Sequence, residues 1–225
     1  MRSLRTRLPR AGVIAMTGLC LLGAGHGSAS AAPAGGDATG SLGELRADLV
    51  QLGVPVPSTE VLAKGVKRLA VAAERERTRF PVAGEYNLGQ DGARFGASRS
   101  GRSHEGQDVM ARTSTPLLAM ADAVVIETGD DGGRGNYVAL YDPVARRTYV
   151  YLHMLHPSRV KEGARVRSGE WVGGVGCTGS CFGDHLHLEV RRGRSMSGPA
   201  ADPLPLLERL ADLTGQRPTL PPGES

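Results

Sequence analysis

Two groups of histidine and carboxylate residues have the types and spacing that could hold a metal ion. From His185 to Val190 polar and apolar residues alternate, so on a strand the imidazoles of His185 and His187 would project from one face. His104 and Asp108 are four residues apart and could converge on one cation. Each group alone is a weak signal, because a histidine pair is equally compatible with a strand that faces solvent.

Taken together, two imidazoles and one carboxylate are a ligand set typical of zinc. Three protein ligands leave the fourth tetrahedral position open for water, which is the arrangement of catalytic zinc, whereas structural zinc usually has four protein ligands. A further histidine beside an open site is what acid–base chemistry on water requires. The pattern therefore predicts a catalytic metal centre.

The order and spacing of these motifs resemble a known family. An H-x-x-x-D motif lies in Arg102–Val109 and an H-x-H motif in Asp184–Val190, with Tyr151–Met154 between them and a glycine-rich stretch, Gly163–Gly183, before the second motif. The combination resembles peptidase family M23, the lysostaphin and LytM type of peptidoglycan endopeptidase. The similarity covers about half of the chain, from near residue 80 to residue 193.

The resemblance implies roles for five residues. His104, Asp108 and His187 would be the ligands of one Zn²⁺ per chain, and His153 and His185 would be unligated histidines beside it. Such a zinc site lowers the pKa of a water molecule and polarises the scissile carbonyl group. We expect His185 to act as the general base and His153 to stabilise the oxyanion, although the sequence leaves the reverse division open.

The implied function is that of an exported zinc metalloendopeptidase that hydrolyses peptide bonds in bacterial cell-wall peptidoglycan. The alternative is a non-catalytic binding or activator module for other cell-wall hydrolases, as in members of the family that have lost ligands. No ligand position is missing from this sequence. The choice of bond would depend on loops such as Gly84–Arg102 and Gly129–Gly135.

Cys177 and Cys181 lie in the glycine-rich stretch, where the family commonly has serine. An even pair of cysteines in an exported chain favours a disulfide. Such a bond would rigidify the turn and hold His185 and His187 in place. The alternative is a pair of small residues that pack as free thiols.

The elements that must position these residues are predominantly β. Short β-rich runs separated by turn residues cover Pro116–Glu127, Tyr137–Tyr141, Thr148–His153 and Trp171–Val175. No helical pattern long enough for a parallel crossover lies between them. We therefore predict a mainly β fold with an antiparallel sheet core, which the resemblance identifies with the duplicated hybrid motif of the LytM and M23 type.

Helical spacing appears only at the two ends of the chain. Apolar residues recur with that spacing over Ser41–Leu52 and Ser58–Arg79, and Phe80–Pro81 should end the second helix. A third amphipathic stretch, Leu204–Leu213, lies in the proline-rich C-terminal tail and predicts a docked helix.

The N-terminus has the three parts of a secretory signal peptide. Four arginines precede an apolar run, Ala11–Ala24, which is followed by Ala29-Ser30-Ala31. The run is too short and too interrupted by glycine for a membrane span. We expect cleavage after Ala31 and a secreted or cell-envelope protein without a stable membrane span.

Cleavage would remove four arginines and no acidic residue, leaving 23 basic and 23 acidic residues. Without net charge the mature chain has no electrostatic case for binding nucleic acid. The predicted organisation is a signal peptide (1–31), a linker and N-terminal helical segment (32–79), the peptidase domain (80–195) and a C-terminal tail with a short helix (196–225).

Overall fold

The structure is a computed structural model, which describes residues 47, 50, 51, 58–99 and 101–221. The predicted signal peptide and linker lie outside the described residues, as does most of the predicted helix Ser41–Leu52. Residues 47, 50 and 51 are helical. The chain divides into two units, Met1–Val56 and Pro57–Ser225, and the second contains the elements below. The predicted boundaries at residues 31, 79 and 195 stay predictions.

The second unit is built mainly of short strands, and every strand pairing among the described residues is antiparallel, as predicted. Helix α1 covers Thr59–Arg77 and helix α2 covers Leu204–Thr214. The strands are β1 (Ser98–Arg99), β2 (Arg102–Ser103), β3 (Gln107–Met110), β4 (Pro116–Leu118), β5 (Ala123–Asp131), β6 (Gly135–Asp142), β7 (Arg147–Met154), β8 (Arg165–Val166), β9 (Trp171–Gly174), β10 (His185–Arg192) and β11 (Ala200–Ala201).

The main sheet has seven strands, in the order β11-β10-β7-β6-β5-β8, and β3 also pairs with β10. Strand β10 is central to the site because β7 lies along one of its edges, while β3 and β11 share the other. The β3–β10 register places Asp108 opposite His187. Strands β4 and β9 form a separate two-stranded sheet, as do β1 and β2.

Both faces of the long hairpin β6–β7 are buried, because alternate residues serve two cores. Residues on one face, including Leu140 and Tyr151, join the main core with residues from β10 and with Leu207 of α2. Residues on the other face form a smaller cluster: Tyr137, Ala139, Val150 and Leu152. This double burial makes the hairpin a rigid support for the residues at its ends.

The predicted strand Pro116–Glu127 is two strands. Leu117 pairs with β9, whereas the chain from Ala123 onwards pairs with β6 and β8 in the main sheet. The change of partner interrupts the β pattern at residues 119–122, because the chain there passes from one sheet to the other. The predicted strands around Tyr137, Thr148 and Trp171 are each present, with ends shifted by one or two residues.

Helix α1 starts at Ser58, whose hydroxyl accepts a hydrogen bond from the backbone N–H of Val61. It ends two residues earlier than predicted, because Thr78 is extended and bridges to Ala121. The apolar residues that predicted this helix are exposed rather than buried, and Leu69 is 72% exposed. In α2, by contrast, Leu207 and Leu210 are buried in the core.

None of the helices in the described part of the chain combines the length and the apolar character that crossing a membrane requires.

Candidate metal centre

Three buried side chains bring one donor atom each to a common point. Nδ1 of His187 lies 2.9 Å from Oδ1 of Asp108, and Nε2 of His104 lies 3.0 Å from each of these two atoms. The register of β3 and β10 explains the first contact. His104 joins them from the turn after β2, four residues before Asp108. The predicted convergence of the two motifs is therefore present.

The hydrogen bonds behind the imidazoles determine which nitrogen faces the common point. Nδ1 of His104 donates to the carbonyl oxygen of Arg94 at 2.7 Å, so the neutral ring carries its lone pair on Nε2. Nε2 of His187 lies 3.4 Å from a carboxylate oxygen of Glu189, which favours a proton on that nitrogen and a lone pair on Nδ1. Three acceptor atoms thus face one another, an arrangement that a bound cation satisfies. The donor set fits zinc.

His185 and His153 lie beside this group, and each ring donates a hydrogen bond from Nδ1 to a backbone carbonyl oxygen. Nδ1 of His185 donates to the carbonyl oxygen of Gly183 at 2.7 Å, and its Nε2 lies 3.5 Å from Oδ1 of Asp108. Nδ1 of His153 donates to the carbonyl oxygen of Thr178 at 2.8 Å. The centroids of the two rings are 5.1 Å apart. In the neutral state both therefore have the lone pair on Nε2, where a proton can be accepted.

His153 has a strained backbone, with φ at +60° in the left-handed region. A non-glycine residue keeps such a conformation only where its surroundings fix it, and such residues are frequent at functional sites. Here the backbone N–H of His153 donates to the carbonyl oxygen of Arg134. The strain lies where β7 ends, beside an irregularity in its pairing with β6.

Comparison with known proteins identifies the domain that carries these residues. Residues 102–203 match the family model for peptidase family M23, and this segment includes all four histidines and the carboxylate predicted from the sequence. This part of the chain is similar to peptidase family M23. The recognition made from the motifs alone is therefore confirmed.

Two curated relatives and one solved structure illustrate the similarity. The chain is 33% identical over 112 residues to the glycyl-glycine endopeptidase ALE-1 of Staphylococcus capitis, a match that covers 48% of this chain and 30% of that protein. It is 35% identical over 111 residues to the peptidoglycan DD-endopeptidase ShyC of Vibrio cholerae, covering 48% of this chain and 25% of that protein. The chain thus spans less than a third of either relative.

The solved structure of lysostaphin from Staphylococcus simulans superimposes with a TM-score of 0.51 at 25% identity, over 65% of this chain and 60% of that one. This agreement confirms the mainly β, antiparallel fold of the LytM type. In this chain the two α-helices of the second unit, among the described residues, lie near its two ends, as predicted.

The pKa values of the side chains at the site are shifted by burial and by their hydrogen bonds and charges. Burial alone would raise the pKa of Asp108, but the hydrogen bonds that His104 and His187 donate when they are protonated outweigh it and hold that pKa well below its usual range. Burial lowers the pKa of His153 to about 4 and also lowers that of His185, which the charge of Asp108 partly opposes. The pKa of His187 is raised, because hydrogen bonds with Asp108 and Glu189 outweigh its burial.

Residues that the motifs did not predict surround the centre. Nη2 of Arg99 donates to Oδ2 of Asp108 at 2.6 Å and lies 3.4 Å from Nε2 of His104. Arg191 binds Glu189 at 2.7 Å and Glu105 at 2.7 Å. The alternation along β10 could have predicted Glu189 and Arg191, because they lie on the same face of the strand as His185 and His187. No sequence pattern marked Arg99, which reaches the site from the short hairpin β1–β2.

The centre lies in an open cleft of about 1240 Å³. Both predicted specificity loops line it, through Gln90 and Arg102 on one side and through Asp131 and Arg134 on the other. Phe182, which follows the disulfide, also lines the cleft and is 97% exposed. The cleft is therefore bordered by charged and aromatic side chains.

Proposed function

We propose that this chain is an exported zinc metalloendopeptidase that hydrolyses peptide bonds in bacterial peptidoglycan. The proposal rests chiefly on one observation, the convergence of three buried acceptor atoms within 3.0 Å of one another in an M23 domain. The name of ShyC, a peptidoglycan DD-endopeptidase, supports a peptidoglycan substrate. The names of the two curated relatives give different bonds, a glycyl-glycine bond and a DD-bond.

In the proposed mechanism His104, Asp108 and His187 hold one Zn²⁺. When bound, zinc lowers the pKa of a water molecule towards neutrality and polarises the scissile carbonyl group. Asp108 presents Oδ1 to the common point, while Arg99 neutralises its Oδ2 and fixes the orientation of the carboxylate. Glu189 orients the ring of His187 through Nε2.

The two remaining histidines move the proton. His185 is the better placed general base, since its Nε2 lies 3.5 Å from Oδ1 of Asp108 and has a free lone pair when Nδ1 donates to Gly183. His153 has the same tautomer and donates a hydrogen bond from Nε2 to an oxyanion only once it is protonated. We keep the division predicted from the sequence, with His185 as the base that takes a proton from the water. His153 is the stabiliser in its protonated form; solvent supplies that proton, and the lowered pKa of His153 makes this form a minor one at neutral pH.

Export is part of the proposal. The segment with the pattern of a signal peptide, residues 1–31, lies outside the described residues. The disulfide between Cys177 and Cys181 supports export, because such bonds persist in oxidising compartments and are rare in the cytosol. Cell-wall enzymes among the curated relatives are consistent with an extracellular or envelope location.

The test measures zinc content and peptidoglycan hydrolysis for residues 32–225 and for the His187→Ala variant. A matched control is His156→Ala, because His156 is an exposed histidine outside the donor group. We expect one zinc per chain and new peptide ends with the parent and with His156→Ala, and neither with His187→Ala. Mass spectrometry of the released muropeptides identifies the cleaved bond. A zinc-loaded parent that binds the wall without cutting it would favour the activator alternative.

A further inference from the structure

The loop between β9 and β10 is closed on itself by a covalent bond. Cys177 and Cys181 form a disulfide, and the backbone N–H of Gly183 donates to Sγ of Cys177. The bond encloses Thr178 and Ser180. It therefore restricts the backbone of a short segment that leads directly into His185, the first residue of β10.

Two carbonyl groups of this loop accept hydrogen bonds from the two unligated histidines. The carbonyl oxygen of Thr178, inside the ring closed by the disulfide, accepts from Nδ1 of His153. That of Gly183, two residues after the disulfide, accepts from Nδ1 of His185. These two bonds set the tautomer of both rings and leave both Nε2 atoms unprotonated in the neutral state.

The loop is also fastened to the strand ends that carry His153. The hydroxyl of Thr178 accepts from the backbone N–H of Asn136 at 2.9 Å and donates to the carbonyl oxygen of Met154 at 2.8 Å. Gly135 approaches so closely that a Cβ on it would lie 2.3 Å from the hydroxyl oxygen of Thr178. These contacts help to hold the strained backbone of His153, because strain of this kind persists only where several neighbours fix it.

The zinc-ligand candidates take no part in this arrangement. The side-chain contacts of His104, Asp108 and His187 run to one another and to five residues that do not belong to the loop: Arg94, Arg99, Glu189, His185 and His153. The sequence had led us to expect that a disulfide would hold His185 and His187. In the structure the loop carbonyls hold His185 and His153 instead, because His187 points its nitrogens at Asp108 and Glu189.

We propose that the Cys177–Cys181 disulfide is a positioning element for His153 and His185, so that hydrolysis requires the intact bond whereas zinc binding does not. The inference rests on the proposed function, in which these two histidines move the proton. Opening the ring leaves only the hydroxyl contacts of Thr178 to hold its carbonyl in place, and this weaker restraint allows both imidazoles to exchange tautomers. Proton transfer is then slowed, while the three acceptor atoms on β3, β10 and the β2 turn stay in place.

The test compares the parent, a Cys177→Ser/Cys181→Ser variant and a Ser180→Ala control, which alters the same loop and keeps the disulfide. The parent is also reduced with a water-soluble trialkylphosphine. In that reaction the disulfide becomes two thiols, the phosphine becomes its oxide, and water supplies the oxygen and both hydrogens. A phosphine is used in place of a dithiol because thiolates are zinc ligands.

We expect kcat on a soluble cross-linked peptide to fall at least tenfold in the double-serine variant and in the reduced parent, with KM changed less than twofold. Zinc affinity, from competition with a chelator, should stay within threefold of the parent. ¹⁵N spectra of the imidazoles should show His153 and His185 as single Nδ1–H tautomers in the parent and as tautomer mixtures in the variant. Ser180→Ala should match the parent in every measurement.

Unchanged kcat with unchanged imidazole spectra in the double-serine variant would overturn the inference. A parallel loss of zinc affinity would also overturn it, since the bond would then support the whole site rather than two histidines. An inactive parent would count against the proposed function alone, because the imidazole spectra test the positioning role without any turnover.

Discussion

Glu189 offers a direct test of how the ring of His187 is oriented. Its carboxylate is largely buried, at 12% side-chain exposure, and lies 3.4 Å from Nε2 of His187. The same carboxylate binds Arg191 at 2.7 Å. Glu189→Ala would remove the acceptor that holds the proton on Nε2 and thereby the lone pair on Nδ1. We therefore expect weaker zinc binding from a residue that offers no ligand atom.

The size of the effect follows from the length and the charge of this contact. A hydrogen bond to a charged group contributes about 1.5–3 kcal/mol. At 3.4 Å the contact is at the long end of hydrogen-bond geometry, and the charge of Arg191 partly neutralises the carboxylate, so we take about 1.4 kcal/mol. That free energy corresponds to a roughly tenfold increase in the Kd for zinc. Glu189→Gln keeps an acceptor oxygen and should lose less than Glu189→Ala.

The assay is competition for zinc with a chromogenic chelator at neutral pH. Glu105→Gln is the matched control, because Glu105 binds Arg191 at 2.7 Å as well and yet makes no contact with His187. Its Kd for zinc should stay within twofold of the parent. Equal weakening by Glu105→Gln and Glu189→Ala would show that the charge balance around Arg191 matters and that ring orientation does not, and it would refute the reasoning.

Three further predictions concern packing and titration. Gly106→Ala should weaken zinc binding at least tenfold in the same chelator assay, because a Cβ would lie 2.6 Å from Nε2 of His187, whereas Gly92→Ala places its Cβ in open space and should bind zinc normally. Leu140→Ala, at a fully buried position, should lower the free energy of unfolding by about 3 kcal/mol in urea titrations; a loss below about 1 kcal/mol would contradict close packing. Burial raises the pKa of Tyr149 to about 12, so its contribution to stability, on the order of 2 kcal/mol, is complete below pH 10 and is lost as pH rises from 10 to 12. Tyr149→Phe should flatten that part of the stability curve, and an unchanged slope would contradict the assignment.

Much of this architecture could be predicted because it depends on local patterns. Strict alternation around His185 and His187 determines which side chains share a face of β10, and turn residues between the β-rich runs exclude parallel crossovers. The same alternation could have predicted Glu189. The cluster of His104, Asp108 and His187 could be predicted as a set of residues because its motifs keep a family order, even though each motif alone is ambiguous.

Other features depend on tertiary contacts that leave no local trace. Arg99 reaches Asp108 only because the hairpin β1–β2 folds beside β3, and nothing in the residues around it marks that approach. The carbonyl groups that hold His153 and His185 belong to the backbone, so side-chain types could not reveal them. The break at residues 119–122 was missed because both of the strands that it separates have the same β-rich composition.

The pairing of Asp108 with His187 has a consequence for how the protein is made. These residues are direct neighbours across β3 and β10, yet they are 79 positions apart in the chain. During synthesis the N-terminal residues leave the ribosome first, so β3 must wait for most of the domain to follow before its partner strand exists. Contacts of such long sequence separation also form late in folding, because a large loop has to close first. A nascent or truncated chain therefore lacks the complete donor set until β10, the last strand but one, has been added.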